Sequence, residues 1–297
     1  MGKDKSAEAG VRGNDALQGR PTDFKKWHEP PPQPSVAHCT RGRARHPQSV
    51  MPYAVLQTDL RTPTIEQMAR AFRAVPGLAP VDAQLLGNDA FGILVKDFSE
   101  AQAGKLQGAL RDEGVETEIV EQSLLPALPP TKFVHRLDCT PEHLLIYDPL
   151  EKTFALDWRH IMFIAAGQVR LTEFVHKSEL QFTATPNPGA LLRKTSVTTE
   201  EHRFHLLGEI ITTGAALRYS LAADKFNFAG LGERNMKNTV ANFSLLVRDL
   251  IQFSAQAALN QGAEALIQDA TKFFSYPSKN AFYEETVWSL WQMRKAA

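Results

Sequence analysis

The sequence predicts an α+β protein built from two small units, and three observations support this prediction. Hydrophobic residues make up 43% of the 297 residues and charged residues 22%, which is the balance of an ordinary globular chain. From Met51 onward, segments with the two-residue period of a strand alternate with segments that have the 3.6-residue period of a helix. A proline-rich run over residues 126–131 is suited to a short stiff linker, and it divides this region in two.

Residues 1–50 are expected to form a disordered arm outside the fold. They contain six prolines and no stretch with helical or strand periodicity, so they cannot bury enough apolar surface to offset their conformational entropy. An alternative stays open in which the start is mis-assigned and Met51, which opens a clean strand, is the true first residue. The start Met1-Gly2 with Ser6 also matches the pattern for N-myristoylation, which is common by chance.

The unit over residues 51–125 shows six elements in the order β-α-β-β-α-β. Ser99 and Gln102 have the spacing of a capping box at the start of the second helix, and Gly114 is placed to end it. The turn at residues 87–89 joins the two middle strands. The expected elements are strands over 53–60, 81–86, 91–98 and 117–124, with helices over 64–75 and from about 100 to 113.

This order of elements resembles the ferredoxin-like fold, in which two helices cover one face of a four-stranded sheet. The RNA-recognition fold has the same strand order, but it needs stacking aromatic side chains on its central strands. Phe91 stands at such a position, whereas Ile93 and Leu56 occupy the positions of the other two. RNA binding is therefore disfavoured.

The unit over residues 132–256 shows about seven strands followed by one amphipathic helix over 239–254. The order resembles the pleckstrin-homology-like barrel found in uncharacterised bacterial proteins. The phrase Tyr147-Asp148-Pro149, with Trp158 and Gly167 further on, also resembles a recurrent pattern in such proteins, which implies no known activity. The expected strands cover 132–138, 143–148, 153–158, 161–165, 169–174, 201–212 and 216–228, and residues 257–297 add docked helices over 262–274 and 281–293.

The sequence predicts no catalytic residue, no metal site and no cofactor. It contains no G-x-S-x-G elbow, no H-E-x-x-H, no phosphate-binding loop and no paired C-x-x-C motif. Cys139 and His143 are too few ligands for a structural zinc site, and His202 and His205 would point to opposite faces of a strand. An enzyme is therefore disfavoured but not excluded, since catalytic triads can be scattered through a sequence.

Charge and apolar patterning argue against a nucleic-acid or membrane partner. Residues 51–297 contain 24 basic and 28 acidic side chains, whereas a duplex-binding domain needs a basic face. The longest apolar runs are far short of a membrane span, and no secretory signal is visible. With only two cysteines, the sequence favours a cytoplasmic location.

The leading functional hypothesis is a non-enzymatic binding or scaffolding protein whose partner is another protein or a second copy of the chain. Phe91, Ile93 and Val95 alternate along a strand whose second face is also apolar, which indicates a sheet face covered by the second unit or by another subunit. Trp288 and Trp291 lie three residues apart on one face of the last predicted helix, which is expected to dock on the barrel-like unit or on a partner. These five residues form the expected interaction surface.

The alternative hypothesis is a binding or catalytic unit for a small anionic molecule in a cleft between the two units. Its candidate anion contacts are Arg193 and Lys194 in a long polar stretch, together with Arg218 and Arg234. The loop over residues 230–234 lacks the third glycine of a dinucleotide site and contains an acidic residue, so it is interpreted as a strand-to-helix connection.

Removal of residues 1–50 should leave the melting temperature within experimental error, because the arm has no periodic apolar face to dock. Thermal denaturation of the full chain beside a chain that starts at Met51 measures this. A drop of several degrees in the shorter chain would show that the arm covers apolar surface of the fold.

Overall fold

The computed structural model describes residues 51–61, 63–78, 83, 89–182 and 192–297, without the side chains of 175–182 and 192–197. These residues belong to one compact unit with mixed α and β structure, which confirms the predicted α+β class. The predicted arm lies outside the described residues. So does the predicted strand over 81–86, apart from Ala83, which is helical.

The N-terminal part contains a three-stranded antiparallel sheet in the order β2-β1-β3. The predicted capping box of Ser99 and Gln102 is confirmed, and Thr64 with Gln67 forms a second one at the first helix. The elements are β1 (Tyr53–Gln57), α1 (Ile65–Phe72), β2 (Ile93–Phe98), α2 (Glu100–Asp112) and β3 (Thr117–Glu121).

The C-terminal part contains two sheets among the described residues. The larger has the order β11-β8-β9-β10-β4 with β12 also paired to β8, and the smaller has the order β5-β6-β7. The strands are β4 (Thr131–Phe133), β5 (Arg136–Cys139), β6 (His143–Tyr147), β7 (Thr153–Asp157), β8 (Ile161–Phe182), β9 (Leu192–Thr212), β10 (Arg218–Ala222), β11 (Ala258–Leu259) and β12 (Ser275–Tyr276). The helices are α3 (Thr239–Phe253), α4 (Gln261–Gln268) and α5 (Lys279–Ala296).

Two predicted boundaries differ from the structure for identifiable reasons. The strands expected over 161–165 and 169–174 are one continuous strand. Gly167 between them does not form a turn. It leaves space for the ring of Tyr276, which a Cβ at this position would overlap. The helix expected over 262–274 ends at Gln268. The Asp269 carboxylate accepts hydrogen bonds from the Thr271 amide and hydroxyl, which forms a local turn that competes with the helix.

The large sheet is covered on both faces. On one face, residues of β8 and β9 such as Ile164 and Ile210 form a core with the small sheet and α3. On the other face, Phe163 and Ile211 pack against Phe282 of α5. Both layers therefore exclude water from the strands between them, and a charged group in this sheet has to be desolvated.

A buried polar network fixes α5 and α4 to the large sheet. The Asn260 side chain accepts from the Ala166 amide at 2.9 Å and donates to the Tyr276 hydroxyl at 2.7 Å. Glu285 of α5, which is fully buried, accepts from the Gln261 amide at the start of α4 at 2.8 Å. Burial raises the pKa of Glu285 above its usual value.

Helix α5 also covers the sheet of the N-terminal part. The face of this sheet opposite α1 and α2 consists of small and branched apolar side chains that pack on the α5 tryptophans. The Trp288 indole donates to the Gln57 carbonyl at 2.7 Å, and the Gln57 side chain in turn accepts from the Gly92 amide at 2.9 Å. Gly92 has a φ of 76°, and a Cβ at this position would overlap Trp288.

The substitution Gly92→Ala should lower the free energy of unfolding by about 2–5 kcal/mol, because it adds backbone strain at positive φ and displaces Trp288. Urea denaturation measures the change. Gly108→Ala is the matched control, since Gly108 lies in α2 with open space around its Cα. We expect this control to be stabilised by about 0.5–1 kcal/mol, and equal effects of the two substitutions would contradict the packing of α5 on β2.

Candidate functional site

A cavity of about 640 Å3 lies against the β8-β9-β10 face that also meets α5. This size is within the range of small-molecule sites. Strand β4, the β6–β7 turn and the start of α5 complete its walls. The apolar lining consists of Phe133, Val134, Pro149, Leu171, Leu207 and Ala222.

His205 forms a cluster with two carboxylates at one side of the cavity. Its Nε2 lies 3.0 Å from Glu173 Oε1, and its Nδ1 lies 3.6 Å from Asp224 Oδ2. Both ring nitrogens therefore face acidic groups, so neither is directed at a hydroxyl or thiol that it could activate. In the described ranges, no group of three His, Cys, Asp or Glu side chains is arranged to bind a metal.

A buried carboxylate lies behind the cavity wall. Glu209 of β9 is only 1% exposed, and it pairs in register with Ser220 of β10, which lines the cavity. The Arg218 Nε lies 3.4 Å from Glu209 Oε2. Neither carboxylate oxygen accepts a hydrogen bond of good geometry from a described residue, which is unusual for a buried charged group.

Burial raises the pKa of Glu209 to about 7, against the opposing influence of Arg218, Ser220, Tyr283 and Lys279. The carboxyl is therefore poised to gain or lose a proton near neutral pH. Its environment differs from that of an ordinary ion pair, because the desolvation cost exceeds the attraction of Arg218.

Tyr283 of α5 connects this carboxylate to the cavity. Its ring lines the cavity, with the Arg218 guanidinium 5.0 Å and the Lys279 Nζ 5.4 Å from the ring centroid. Burial, together with the nearby Glu209, raises the pKa of Tyr283 to about 12. The phenol therefore stays protonated near neutral pH, and its hydroxyl, which faces Glu209, remains a hydrogen-bond donor.

Two exposed lysines lie at the edge of the cavity. Lys225 follows β10, and Lys279 is the first residue of α5. Among the described residues, neither amine has a carboxylate within ion-pair distance, although Lys279 contacts the Tyr283 ring. They are the cationic groups of this cavity that an incoming anion can reach without breaking an ion pair.

The predicted anion contacts are not brought together as a group. Arg218 lies behind the cavity, bonded to Thr131 and close to Glu209. Arg234 lies in a 3-10 turn before α3 and forms a bidentate ion pair with Asp249, at 2.9 and 2.5 Å. The side chains of Arg193 and Lys194 lie outside the described residues. Both described arginines already have a carboxylate partner.

Three residues of the predicted interaction surface, Phe91, Ile93 and Val95, are buried in the chain's own core, and the other two, Trp288 and Trp291, are half-buried against the sheet of the N-terminal part. Phe91 packs with the large sheet, Ile93 with Trp288 and Trp291, and Val95 with α1 and α2. The expected alternation fails because the pairing with β1 shifts register between Ile93 and Val95. Helix α5 thus supplies the cover that the apolar sheet face needs.

Sequence patterns did not single out Glu209, Lys225, Lys279 or Tyr283 as candidate site residues. One signal was present for the first of these, because Glu209 stands within the apolar run Leu206-Leu207-Gly208-Glu209-Ile210-Ile211. An acidic residue in a strand that is covered on both faces must be neutral, paired or functional. The lysines and Tyr283 give no comparable signal, since only the fold brings them to the cavity.

No family model, curated protein or solved structure matches the chain. Evidence on function therefore comes from the geometry of the described residues. Within these ranges, no helix has the combination of length and apolar character that crossing a bilayer requires.

The substitution Glu209→Gln should flatten the dependence of stability on pH. The folded protein holds the Glu209 proton up to about pH 7, whereas a free glutamate ionises near 4.5. Stability contributed by this carboxyl is therefore complete below pH 4.5 and is lost as pH rises through 7. The variant lacks this loss, so its free energy of unfolding relative to the wild type should rise by at most about 3 kcal/mol over that interval.

Urea denaturation at several pH values from 4.5 to 8 measures this difference. Glu142→Gln, which changes an exposed carboxylate, is the control and should keep the wild-type slope. If Glu209→Gln showed that same slope, the carboxyl would not titrate in the proposed range.

Proposed function

We propose that this protein binds a small anionic molecule with an apolar body in the cavity bounded by β8, β9, β10 and α5. The observation that carries the proposal is a cavity of about 640 Å3 with apolar walls, at whose edge Lys225 and Lys279 have no carboxylate partner in the part of the chain that the structure describes. Apolar walls with a few convergent polar groups are typical of small-molecule sites. The apolar lining suits the body of the ligand, and the two amines suit its charged group.

The proposal is for binding without catalysis. A reaction would need a nucleophile or a general base directed at the bound molecule. His205 is the best candidate by residue type, but both of its nitrogens face carboxylates. The carboxyl group beside Ser220 is that of Glu209, which holds its proton up to about pH 7, and the Tyr283 phenol stays protonated near neutral pH.

The scaffolding hypothesis has less support than the ligand-binding one. It was drawn from apolar surface in excess of what one small domain can bury, and α5 of the same chain covers that surface. A partner protein or self-association stays a prediction with its own test. Size-exclusion chromatography with light scattering would remove the homo-oligomeric version if the protein were monomeric at high concentration.

We further propose that the two parts adopt the ferredoxin-like and pleckstrin-homology-like folds, as in the bacterial family that the sequence resembles. The antiparallel order β2-β1-β3 with α1 and α2 on one face supports the first, whose fourth strand would fall over residues 81–86. A core shared by two sheets and α3 supports the second. A cytoplasmic location is proposed on the same sequence grounds as before.

Replacement of both Lys225 and Lys279 by Gln should abolish stabilisation by anionic ligands. Binding to the native state raises the melting temperature, so a thermal-shift panel of nucleotides, sugar phosphates, inositol phosphates, aliphatic carboxylates and aromatic sulfonates identifies the preferred class. We expect amphiphilic carboxylates or sulfonates to stabilise the wild type most. The double variant should weaken the best ligand by about tenfold or more, since it removes both partners of the anion.

Lys105→Gln is the matched control, because Lys105 is an exposed lysine of α2 that does not line the cavity. It should respond to the panel as the wild type does. A panel without any shift, or shifts that the double variant retains, would contradict the proposed site.

A further inference from the structure

Two side chains that line the cavity, those of Lys279 and Tyr283, also influence the ionisation of Glu209. The buried carboxyl group and a ligand bound in the cavity can therefore affect each other. Lys279 lies at the cavity edge, and its charge also acts on Glu209. Tyr283 lines the cavity, and its hydroxyl faces the same carboxylate. Because Glu209 is buried, a charge that arrives at Lys279 changes the free energy of ionising this carboxyl group.

We propose that the cavity takes up its ligand as an electroneutral pair, with the ionised head group of the ligand at Lys279 and one proton from solvent on Glu209. The inference rests on the proposed function and specifies its ligand class, a monoanion with an apolar body. The proton leaves a hydronium ion or a buffer acid in the solvent and forms an O–H bond with one Glu209 carboxylate oxygen, while no bond of the ligand is made or broken.

The charged and titratable groups that face Glu209 explain the coupling. Arg218 and Ser220 face it from β10, while Lys279 and Tyr283 face it from α5; the adjacent residue of β8 in register is Ala165, which is neutral. The two cations favour the ionised carboxylate and burial opposes it. An anion bound at Lys279 offsets one of these cations, so the balance moves toward the protonated carboxyl.

The unsatisfied hydrogen bonds of Glu209 support this assignment independently. Its two oxygens have no hydrogen-bond partner of good geometry among the described residues, although hydroxyl groups lie close by. A permanent, fully bonded ion pair would hold the carboxylate ionised. The observed arrangement leaves a carboxylate oxygen of Glu209 free to accept a proton. The hydroxyl groups of Ser220 and Tyr283 can reorient when Glu209 is neutral.

Coupling is reciprocal, so protonation of Glu209 must strengthen anion binding as much as anion binding favours protonation. Affinity for an anion that stays ionised throughout should therefore rise as pH falls through neutrality. His135 and His205 also line the cavity and could add to such a trend, so the experiment has to separate their contribution from that of Glu209.

The test uses 8-anilinonaphthalene-1-sulfonate, whose sulfonate stays ionised between pH 5.5 and 8.5, with the full chain. Fluorescence titration gives the Kd at each pH for the wild type and for the Glu209→Gln, His205→Gln and Lys105→Gln variants. We expect wild-type affinity to increase about fivefold or more from pH 8.5 to 5.5, as is typical of coupled sites. His205→Gln and Lys105→Gln should keep this trend, while Glu209→Gln should bind with nearly constant affinity.

Calorimetry of the binding of the same probe, in two buffers with different ionisation enthalpies, directly measures the number of protons taken up per bound probe. Wild type and His205→Gln should take up a fraction of a proton near pH 7, and Glu209→Gln should take up none. A variant in which His135 and His205 are both replaced by Gln should take up the same fraction, and this result decides the matter even if Glu209→Gln does not fold.

Binding without proton uptake, or a pH trend that Glu209→Gln retains or His205→Gln loses, would overturn the coupling and leave the binding cavity in place. If replacement of Lys225 and Lys279 by Gln left binding of the probe unchanged, both the cavity and the coupling would be wrong.

Discussion

Helix α5 is the element on which the rest of the fold depends, because two sheets use it to keep water from one of their faces. Its tryptophans cover the sheet of the N-terminal part, and Phe282 and Leu290 pack on the large sheet. Its buried Glu285 is bonded to the start of α4. The first residues of the same helix reach the cavity. The position of Lys279 and Tyr283 is therefore fixed by the packing of the remaining turns.

The features that sequence patterns predicted are those determined by neighbours along the chain. The capping box at Ser99 and the helical stripe of α3 depend on residues three or four apart, and both are present. The role of Gly167 could not be foreseen, because it depends on the ring of Tyr276 more than a hundred residues away. The predicted surface of Phe91, Ile93 and Val95 assumed an unbroken strand alternation, which the register shift in β2 removes.

For the candidate site, the alternative sequence hypothesis named a small anion as the ligand, but its candidate residues are not the ones that the fold brings to the edge of the cavity. The candidate residues Arg218 and Arg234 lie beside Glu209 and Asp249, which are nine and fifteen positions away along the chain and outside any visible motif. The exposed Lys225 and Lys279 were not among the candidates. Their importance comes from the apolar cavity beside them and from Glu209 behind it, and both are products of tertiary structure.

The packing of Trp288 on Gln57 has a consequence for biosynthesis. The hydrogen bond between them joins residues 231 positions apart, so the sheet formed by β1, β2 and β3 can assemble on the ribosome long before its cover has been translated. During that interval, Ala54, Leu56, Ile93 and Val120 present an apolar patch to solvent or to a chaperone. At bacterial or eukaryotic elongation rates of about 5–20 residues per second, the delay is on the order of ten seconds or more. Translation speed between these two segments thus sets how long the nascent chain is exposed to aggregation.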